Sequence, residues 1–259
     1  MIWLLALQLA VGPTQHYENA KEDFAQRKFS EAVSEVDSAL HEDPHMVPSL
    51  VLKARLASFA HRPDVAKSCL ITAITVDPTS EEAQFYLGAL FYEQNDFSLA
   101  ISPLQKAQTL SPENPLPVFY LAMTHEALKD KSKTLELYQR AENLSPEKSA
   151  LSAEILVAYG RFLLSQGRIQ DSMEKDQRAI EIDPESRDAH YELAKGLDLK
   201  EDFRNAALEG ERALALPELA TSDTQIHYLL ARLYRKLNQP ALAKAHLEEF
   251  LAARQATRQ

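Results

Sequence analysis

Proline recurs at a nearly fixed interval through most of this 259-residue chain. Five prolines, each preceded by Asp or Ser, are separated by 34, 34, 34 and 38 residues: Pro44, Pro78, Pro112, Pro146 and Pro184. A period of roughly 20 to 50 residues indicates stacked supersecondary units, and about 34 residues suits two helices joined by a turn. Because proline cannot continue a helix, each one is predicted to lie just beyond the second helix of its unit.

Alanine recurs at the same interval inside the predicted helices. Ala32, Ala66 and Ala100 lie twelve residues before their prolines. Another alanine lies five residues before each of the five prolines: Ala39, Ala73, Ala107, Ala141 and Ala179. Small side chains let helices approach closely, so these positions are predicted to be helix contacts.

The third unit resembles the tetratricopeptide repeat almost place for place. The matching residues are Leu87, Gly88, Phe91, Phe97, Ala100, Leu104, Ala107 and Pro112. The resemblance extends from residue 13 to about 254 and implies an all-α fold, a right-handed α-solenoid of stacked antiparallel helix pairs. The predicted units are 13–46, 47–80, 81–114, 115–148, 153–186, 187–220 and 224–254, with a short tail at 255–259. Each has a small residue at the matching place of its first helix: Ala20, Ala54, Gly88, Ala122, Gly160, Ala194 and Ala231.

The fifth and sixth units depart most from the pattern. Insertions at 149–152 and 221–223 lengthen the boundaries before the fifth and seventh units. Asp176 and Gly210 stand where a large apolar residue is expected. A buried acid is costly unless it is paired, so we expect a rotated helix that turns Asp176 to solvent, with burial as the alternative.

The composition argues for an ordered helical chain and against nucleic-acid binding. The chain is 45% hydrophobic and 25% charged with only six glycines, which is typical of a folded protein. A nucleic-acid-binding surface needs clustered positive charge, whereas this chain has a net charge of -10 and its Lys and Arg are dispersed. A single cysteine, Cys69, forms no intramolecular disulfide and is expected to be a small packed residue.

Residues 41–45 match the sequence motif of a zinc site. His41, Glu42 and His45 match H-E-x-x-H, which binds zinc when both histidines share one helix face. Here the fourth residue is Pro44, which predicts a turn between units instead. No Gly-rich phosphate loop, C-x-x-C or G-x-S-x-G occurs in the sequence, so we predict neither an enzyme nor a bound metal or cofactor.

The apolar segment 1–12 is too short to span a bilayer, which takes roughly 20 residues. Its length and the small residues Ala10 and Gly12 favour a signal peptide and hence export to a periplasm or the exterior. The absence of Lys or Arg before the apolar run, and Pro13 after the cleavage point, argue against it. The alternatives are a hydrophobic capping helix or a misassigned start, with a cytoplasmic protein.

In this family the first helices line a concave groove, and the resemblance implies that two rows of side chains face it. The first row is aromatic or apolar: Tyr17, Val51, Phe85, Phe119, Val157, Tyr191 and Tyr228. The second row, four residues further on the same helix face, is Lys21, Arg55, Ala89, Met123, Arg161, Lys195 and Arg232. The predicted peptide groove is thus basic at both ends, with an apolar middle of Phe85, Ala89, Tyr92, Phe119 and Met123.

This layout predicts a protein-interaction scaffold that binds a peptide or helix of apolar and acidic character in the groove. The alternative is a structural protein or assembly factor that self-associates through one end of the array, since no clear polar cap follows the last helix.

Overall fold

The computed structural model describes residues 12–217 and 220–256, which form helices and connections without a β-strand. The predicted all-α fold is confirmed. The helices are α1 (Pro13–Ala25), α2 (Phe29–Glu42), α3 (Val47–Phe59), α4 (Pro63–Val76), α5 (Glu81–Glu93), α6 (Phe97–Leu110), α7 (Pro115–Ala127), α8 (Lys131–Leu144), α9 (Ala150–Ser165), α10 (Ile169–Ile182), α11 (Arg187–Leu199), α12 (Phe203–Ala215), α13 (Asp223–Lys236) and α14 (Pro240–Ala256). The signal peptide remains a prediction, because residues 1–11 lie outside the described part of the chain, as do residues 257–259 of the tail.

Consecutive helices pack in pairs, as α1 does with α2 and α5 with α6. The odd-numbered helices are the first helices of the repeats and the even-numbered ones are the second. A three-residue turn joins the helices of each pair, and its middle residue has a positive φ between 53° and 76°. These residues are Arg27, His61, Asn95, Lys129, Gly167, Glu201 and Asn238. The left-handed residue lets the chain reverse within three residues and return antiparallel.

The prolines lie where the period predicts. Each of the second helices α2, α4, α6, α8 and α10 ends two residues before its proline. After α2 ends, Asp43 is extended and its carboxylate accepts a hydrogen bond from the backbone N–H of His45 at 3.0 Å. His41 and His45 therefore do not share a helix.

The small residues mark the closest contacts between paired helices. Ala20, Ala54, Ala122 and Ala194 are fully or almost fully buried in their first helices. A methyl group added at Gly88 would lie 2.5 Å from the Leu104 Cγ atom, inside van der Waals contact. Helix α5 thus approaches α6 more closely there than any side chain allows.

The chain forms two compact units that divide between Leu137 and Tyr138. We call residues 12–137 the N-terminal half and residues 138–256 the C-terminal half. Each half has its own apolar core. In the N-terminal half one cluster centres on Leu50, Leu70 and Leu90. In the C-terminal half one centres on Leu229, Leu230 and Leu233.

The insertions at 149–152 and 221–223 supply the residues that cap the following helices, α9 and α13. Ser149 caps α9 and exchanges hydrogen bonds with Ser152, and Ser222 caps α13 and exchanges hydrogen bonds with Gln225. Each arrangement is a capping box, which satisfies backbone N–H groups that a helix start leaves open. Helix α9 begins at Ala150, three residues before the predicted unit, so the insertion supplies its cap and first turn.

Asp176 lies in the core of the C-terminal half, which corrects the expectation that it turns to solvent. It is 0% exposed and faces Gly160 of the paired helix, the same relation that Leu104 has to Gly88. Its carboxyl accepts one long hydrogen bond, from the Ser172 hydroxyl at 3.4 Å, and its second oxygen has no partner among the described residues. Burial, together with the charge of nearby Glu192, raises the pKa of Asp176 to about 8.

Asp176→Leu is expected to stabilise the C-terminal half. The pKa of this carboxyl is higher in the folded chain than in the unfolded chain, so its contribution to stability is present below pH ~3.8 and is lost as the pH rises towards 8. At pH 7 the cost of keeping it protonated is about 4 kcal/mol, to order of magnitude. Urea unfolding at pH 5, 6, 7 and 8 should show a gain for Asp176→Leu that grows by about 1.4 kcal/mol per pH unit.

The reverse variant, Leu104→Asp, is the control, because it places the same carboxyl against Gly88 in the N-terminal half and should create a similar loss of stability with rising pH. A gain from Asp176→Leu that does not change with pH would mean that Asp176 is ionised in the folded protein.

Candidate functional site

The structure places the two predicted rows at very different depths. Five of their members are buried: Val51, Phe85, Ala89, Phe119 and Val157. Those that are partly exposed are Tyr17, Arg55, Met123, Tyr191, Lys195 and Arg232, together with Tyr92. Three are exposed: Lys21, Arg161 and Tyr228.

The apolar middle of the predicted groove is mostly core. Phe85 is 7% exposed, and its ring packs edge-on against Tyr86 and Tyr120 with centroids 5.1 and 5.2 Å away. Phe119 is 2% exposed and Ala89 is 6% exposed. The expectation of an open apolar centre is corrected at these three positions, because neighbouring helices cover them.

The two rows interact with each other. Where the first row has tyrosine, the cation four residues later lies over its ring. The ammonium of Lys21 is 5.3 Å from the centroid of Tyr17, and the guanidinium of Arg232 is 5.7 Å from that of Tyr228. Lys195 covers Tyr191 in the same way, at 5.3 Å.

Carboxylates of the chain already neutralise these three cations. Lys21 pairs with Glu18 at 3.0 Å and Lys195 with Glu192 at 2.5 Å. Arg232 pairs with the buried Asp198 at 2.9 Å, and Lys236 pairs with the same carboxylate at 2.6 Å. Three of the five cations of the second row are therefore paired with carboxylates of the protein.

Arg55 has no tyrosine four residues before it, since Val51 stands there, and it packs between two other rings. Its guanidinium carbon is 4.7 Å from the centroid of Phe24 and 5.1 Å from that of Tyr86. The guanidinium thus makes cation–π contacts with two rings, a favourable arrangement for arginine.

A cavity of about 440 Å³ opens beside Arg55 in the N-terminal half. It lies between the C-terminal parts of the first helices α3 and α5, with Leu70 of α4 also in its wall. Its walls are mostly apolar, and its lining residues are Ala54, Arg55, Ser58, Phe59, His61, Leu70, Tyr86, Ala89, Leu90 and Glu93. This size and polarity suit one or two side chains of a bound peptide.

Glu93 and Phe59 form one end of this cavity. They are the last residues of α5 and α3, in equivalent places 34 residues apart. Partial burial raises the pKa of the Glu93 carboxyl, and no ion pair or hydrogen bond to it is found among the described residues. Phe59 is 64% exposed, and its ring stacks on Phe29 with the centroids 5.5 Å apart.

The histidines do not form a metal centre within the described chain. No group of three His, Cys, Asp or Glu side chains in residues 12–217 and 220–256 is placed to hold a metal ion. Likewise, none of the described helices combines the length and apolar character that a membrane span requires.

Comparison with protein families decides the identity of the repeats. Residues 51–115 and 224–257 each match a family model described as the tetratricopeptide repeat. The matches fall in both halves, each on helices that pack as a pair. These segments are tetratricopeptide repeats, and the described helices have the fold of a tetratricopeptide-repeat protein.

Solved structures share the fold of this tetratricopeptide-repeat protein at low identity. Its structure matches the APC/C hetero-tetramer Cut9-Hcn1 with a TM-score of 0.76 at 18% identity, covering 87% of this chain and 44% of that chain. Yeast Tom70 matches with a TM-score of 0.68 at 19% identity, over 92% of this chain and 50% of that one. This chain thus spans about half the length of these two proteins.

A smaller tetratricopeptide-repeat protein, YrrB, matches with a TM-score of 0.53 at 20% identity, covering 70% of this chain and 91% of that chain. At these identities the likeness shows the fold alone. Comparison with curated protein sequences gives no match.

Sequence reasoning missed most of the cavity. Of its lining residues only Arg55 and Ala89 belong to the predicted rows. Phe59, Tyr86 and Glu93 were not selected, because they lie outside the two positions per repeat that the family resemblance singles out. Two of them could have been found from their place in the repeat, because Phe59 and Glu93 each lie four residues before the second helix of their pair begins.

Phe85→Ala is expected to lower the free energy of unfolding much more than Phe59→Ala, because Phe85 is buried and Phe59 is exposed. Removing the buried Phe85 ring should lower the free energy of unfolding by about 3 to 5 kcal/mol, because it leaves a cavity between helices. Removing the exposed Phe59 ring should cost less than about 1 kcal/mol. Urea unfolding followed by circular dichroism measures both, and equal losses would contradict the burial of Phe85.

Proposed function

We propose that this protein is a non-enzymatic scaffold that binds an extended or helical peptide segment against the first helices of its N-terminal half. The observation that carries the proposal is the largely apolar cavity between α3 and α5. Its volume of about 440 Å³ accepts an apolar side chain, and its open face lies beside the exposed ring of Phe59. Burial of one anchor side chain in such a pocket typically supplies much of the affinity of a peptide complex.

Family membership supports the same mode of binding. Among the proteins that share the fold, YrrB is described as having an unusual peptide-binding site. The cavity also fits the recognition of a peptide by grooves between helices, where apolar anchors enter pockets and polar groups set the register.

The ion pairs of the second row argue against the acidic partner that the sequence predicts. An acidic partner was expected because the second row is basic, but Lys21, Lys195 and Arg232 are paired with carboxylates of the chain. An acidic peptide would have to compete with those intramolecular pairs. We therefore base recognition on the cavity rather than on the two rows.

Ser58→Trp is expected to block the cavity. Ser58 lines it from α3, and an indole at this place fills the space that a ligand side chain needs. A random nonapeptide display library panned on the wild-type protein should enrich peptides that share an apolar anchor. Fluorescence anisotropy with an enriched peptide should show an affinity lower by at least about tenfold for Ser58→Trp.

Ser98→Trp is the matched control, because Ser98 is exposed on α6 in the same half and does not line the cavity. It should leave the affinity unchanged. Failure to enrich any peptide, or equal binding by Ser58→Trp, would reject the cavity as the binding site.

A second candidate function is self-association through the last helix. Within residues 240–256, α14 has no buried residue, and Leu242, Leu247 and Leu251 are each nearly half exposed. Exposed leucines on a terminal repeat are a surface that a second copy of the chain can cover.

If this second function holds, multi-angle light scattering should show a dimer whose population rises with protein concentration. The variant Leu247→Glu with Leu251→Glu should then be monomeric, since a charge on this face opposes burial. A wild-type protein that stays monomeric at high concentration removes this candidate.

A further inference from the structure

Two charged residues that line the cavity, Arg55 and Glu93, differ in whether their charge has a partner in the protein. The Arg55 guanidinium lies over the rings of Phe24 and Tyr86. Glu93 lines the same cavity from an exposed position, its carboxyl has no cationic partner among the described residues, and partial desolvation raises its pKa. A carboxylate that has lost part of its hydration without gaining a partner is stabilised by a cation brought in by a ligand.

An aromatic ring stands at the same end of the cavity. Phe59 is the residue of α3 equivalent to Glu93 of α5, and its ring is 64% exposed. Phe59 stacks on Phe29 and meets Phe24 edge-on, and these two contacts still leave much of its ring open to solvent. An aromatic face next to a carboxylate attracts an ammonium or guanidinium group by two mechanisms, cation–π attraction and charge pairing.

The charge of the N-terminal half acts in the same direction. Residues 12–137 contain 18 acidic and 11 basic residues. The resulting negative field favours the approach of a cationic segment and disfavours an acidic one.

We propose that the end of the cavity formed by Phe59 and Glu93 selects a lysine or arginine next to the apolar anchor of the bound peptide. The proposal rests on the peptide-binding function proposed above and names the chemistry of the partner: a basic, apolar segment. The anchor occupies the space lined by Ala89 and Leu90, and its basic neighbour reaches the Glu93 carboxylate. Arg55 is compatible with this ligand because its N–H groups can donate to the main-chain carbonyl oxygens of the bound peptide, which carry no net charge.

Two nonapeptide display libraries of equal size test the proposal, one with Lys-Leu-Lys fixed at the centre and one with Glu-Leu-Glu. Flanking the leucine on both sides removes any dependence on the direction of the bound chain. In about 0.15 M salt, where long-range attraction is screened, enrichment on the wild-type protein should favour the Lys-Leu-Lys library by about fivefold. On Glu93→Gln the two libraries should enrich about equally.

Glu113→Gln is the matched control, since it removes the same charge from the same half at an exposed place that does not line the cavity. It should keep the preference for Lys-Leu-Lys. If Glu93→Gln and Glu113→Gln reduce the preference equally, general attraction to an acidic protein explains it and the proposal is overturned.

Ser58→Trp separates this proposal from the broader one. Loss of binding of both libraries on Ser58→Trp, with no preference between them on the wild-type protein, keeps the cavity as the peptide site but overturns the selection of a cation. Binding that Ser58→Trp leaves unchanged overturns the cavity itself. A preference for Glu-Leu-Glu would restore the acidic partner and reject the role given to Glu93.

Discussion

The close approach of two paired helices at a small residue is the contact on which each repeat depends. At Gly88 the backbone of α5 comes so near to Leu104 of α6 that a methyl group has no room. Such a contact excludes water and aligns the two helices over their length. The 34-residue period is therefore a packing period, because most pairs place a small residue opposite a large apolar one, as Gly88 is opposite Leu104.

Local pairing on the first helices determines which surface is left for recognition. A tyrosine followed four residues later by Lys or Arg stacks on the same helix face, and a neighbouring carboxylate then neutralises the cation. Val51 interrupts this pattern, so Arg55 turns to Phe24 and Tyr86 instead. The cavity lies beside this repeat, with Arg55 in its wall.

Much of the fold can be predicted from the sequence, because prolines that end helices and alanines at helix contacts act through local chemistry. The turns inside the pairs cannot, since Arg27, His61 and Lys129 hold a left-handed conformation that usually favours glycine. The burial of Phe85 and Phe119 also escapes prediction, because it depends on the neighbouring helices. For Asp176 the sequence favoured solvent, whereas the helix keeps the register of the repeat and buries the acid.

Asp176, which lowers stability, and the cavity proposed to bind a peptide lie in different halves of the chain. In an array whose units contact mainly their neighbours, a destabilising residue acts on its own unit and the adjacent ones. The buried carboxyl contacts Gly160 and Ser172, and the charges nearest to it are those of Glu192 and Lys195, all in the C-terminal half. The cavity is lined only by residues 54–93 of the N-terminal half. The core acid and the proposed binding cavity therefore draw on different contacts, and a sequence change at one place does not require compensation at the other.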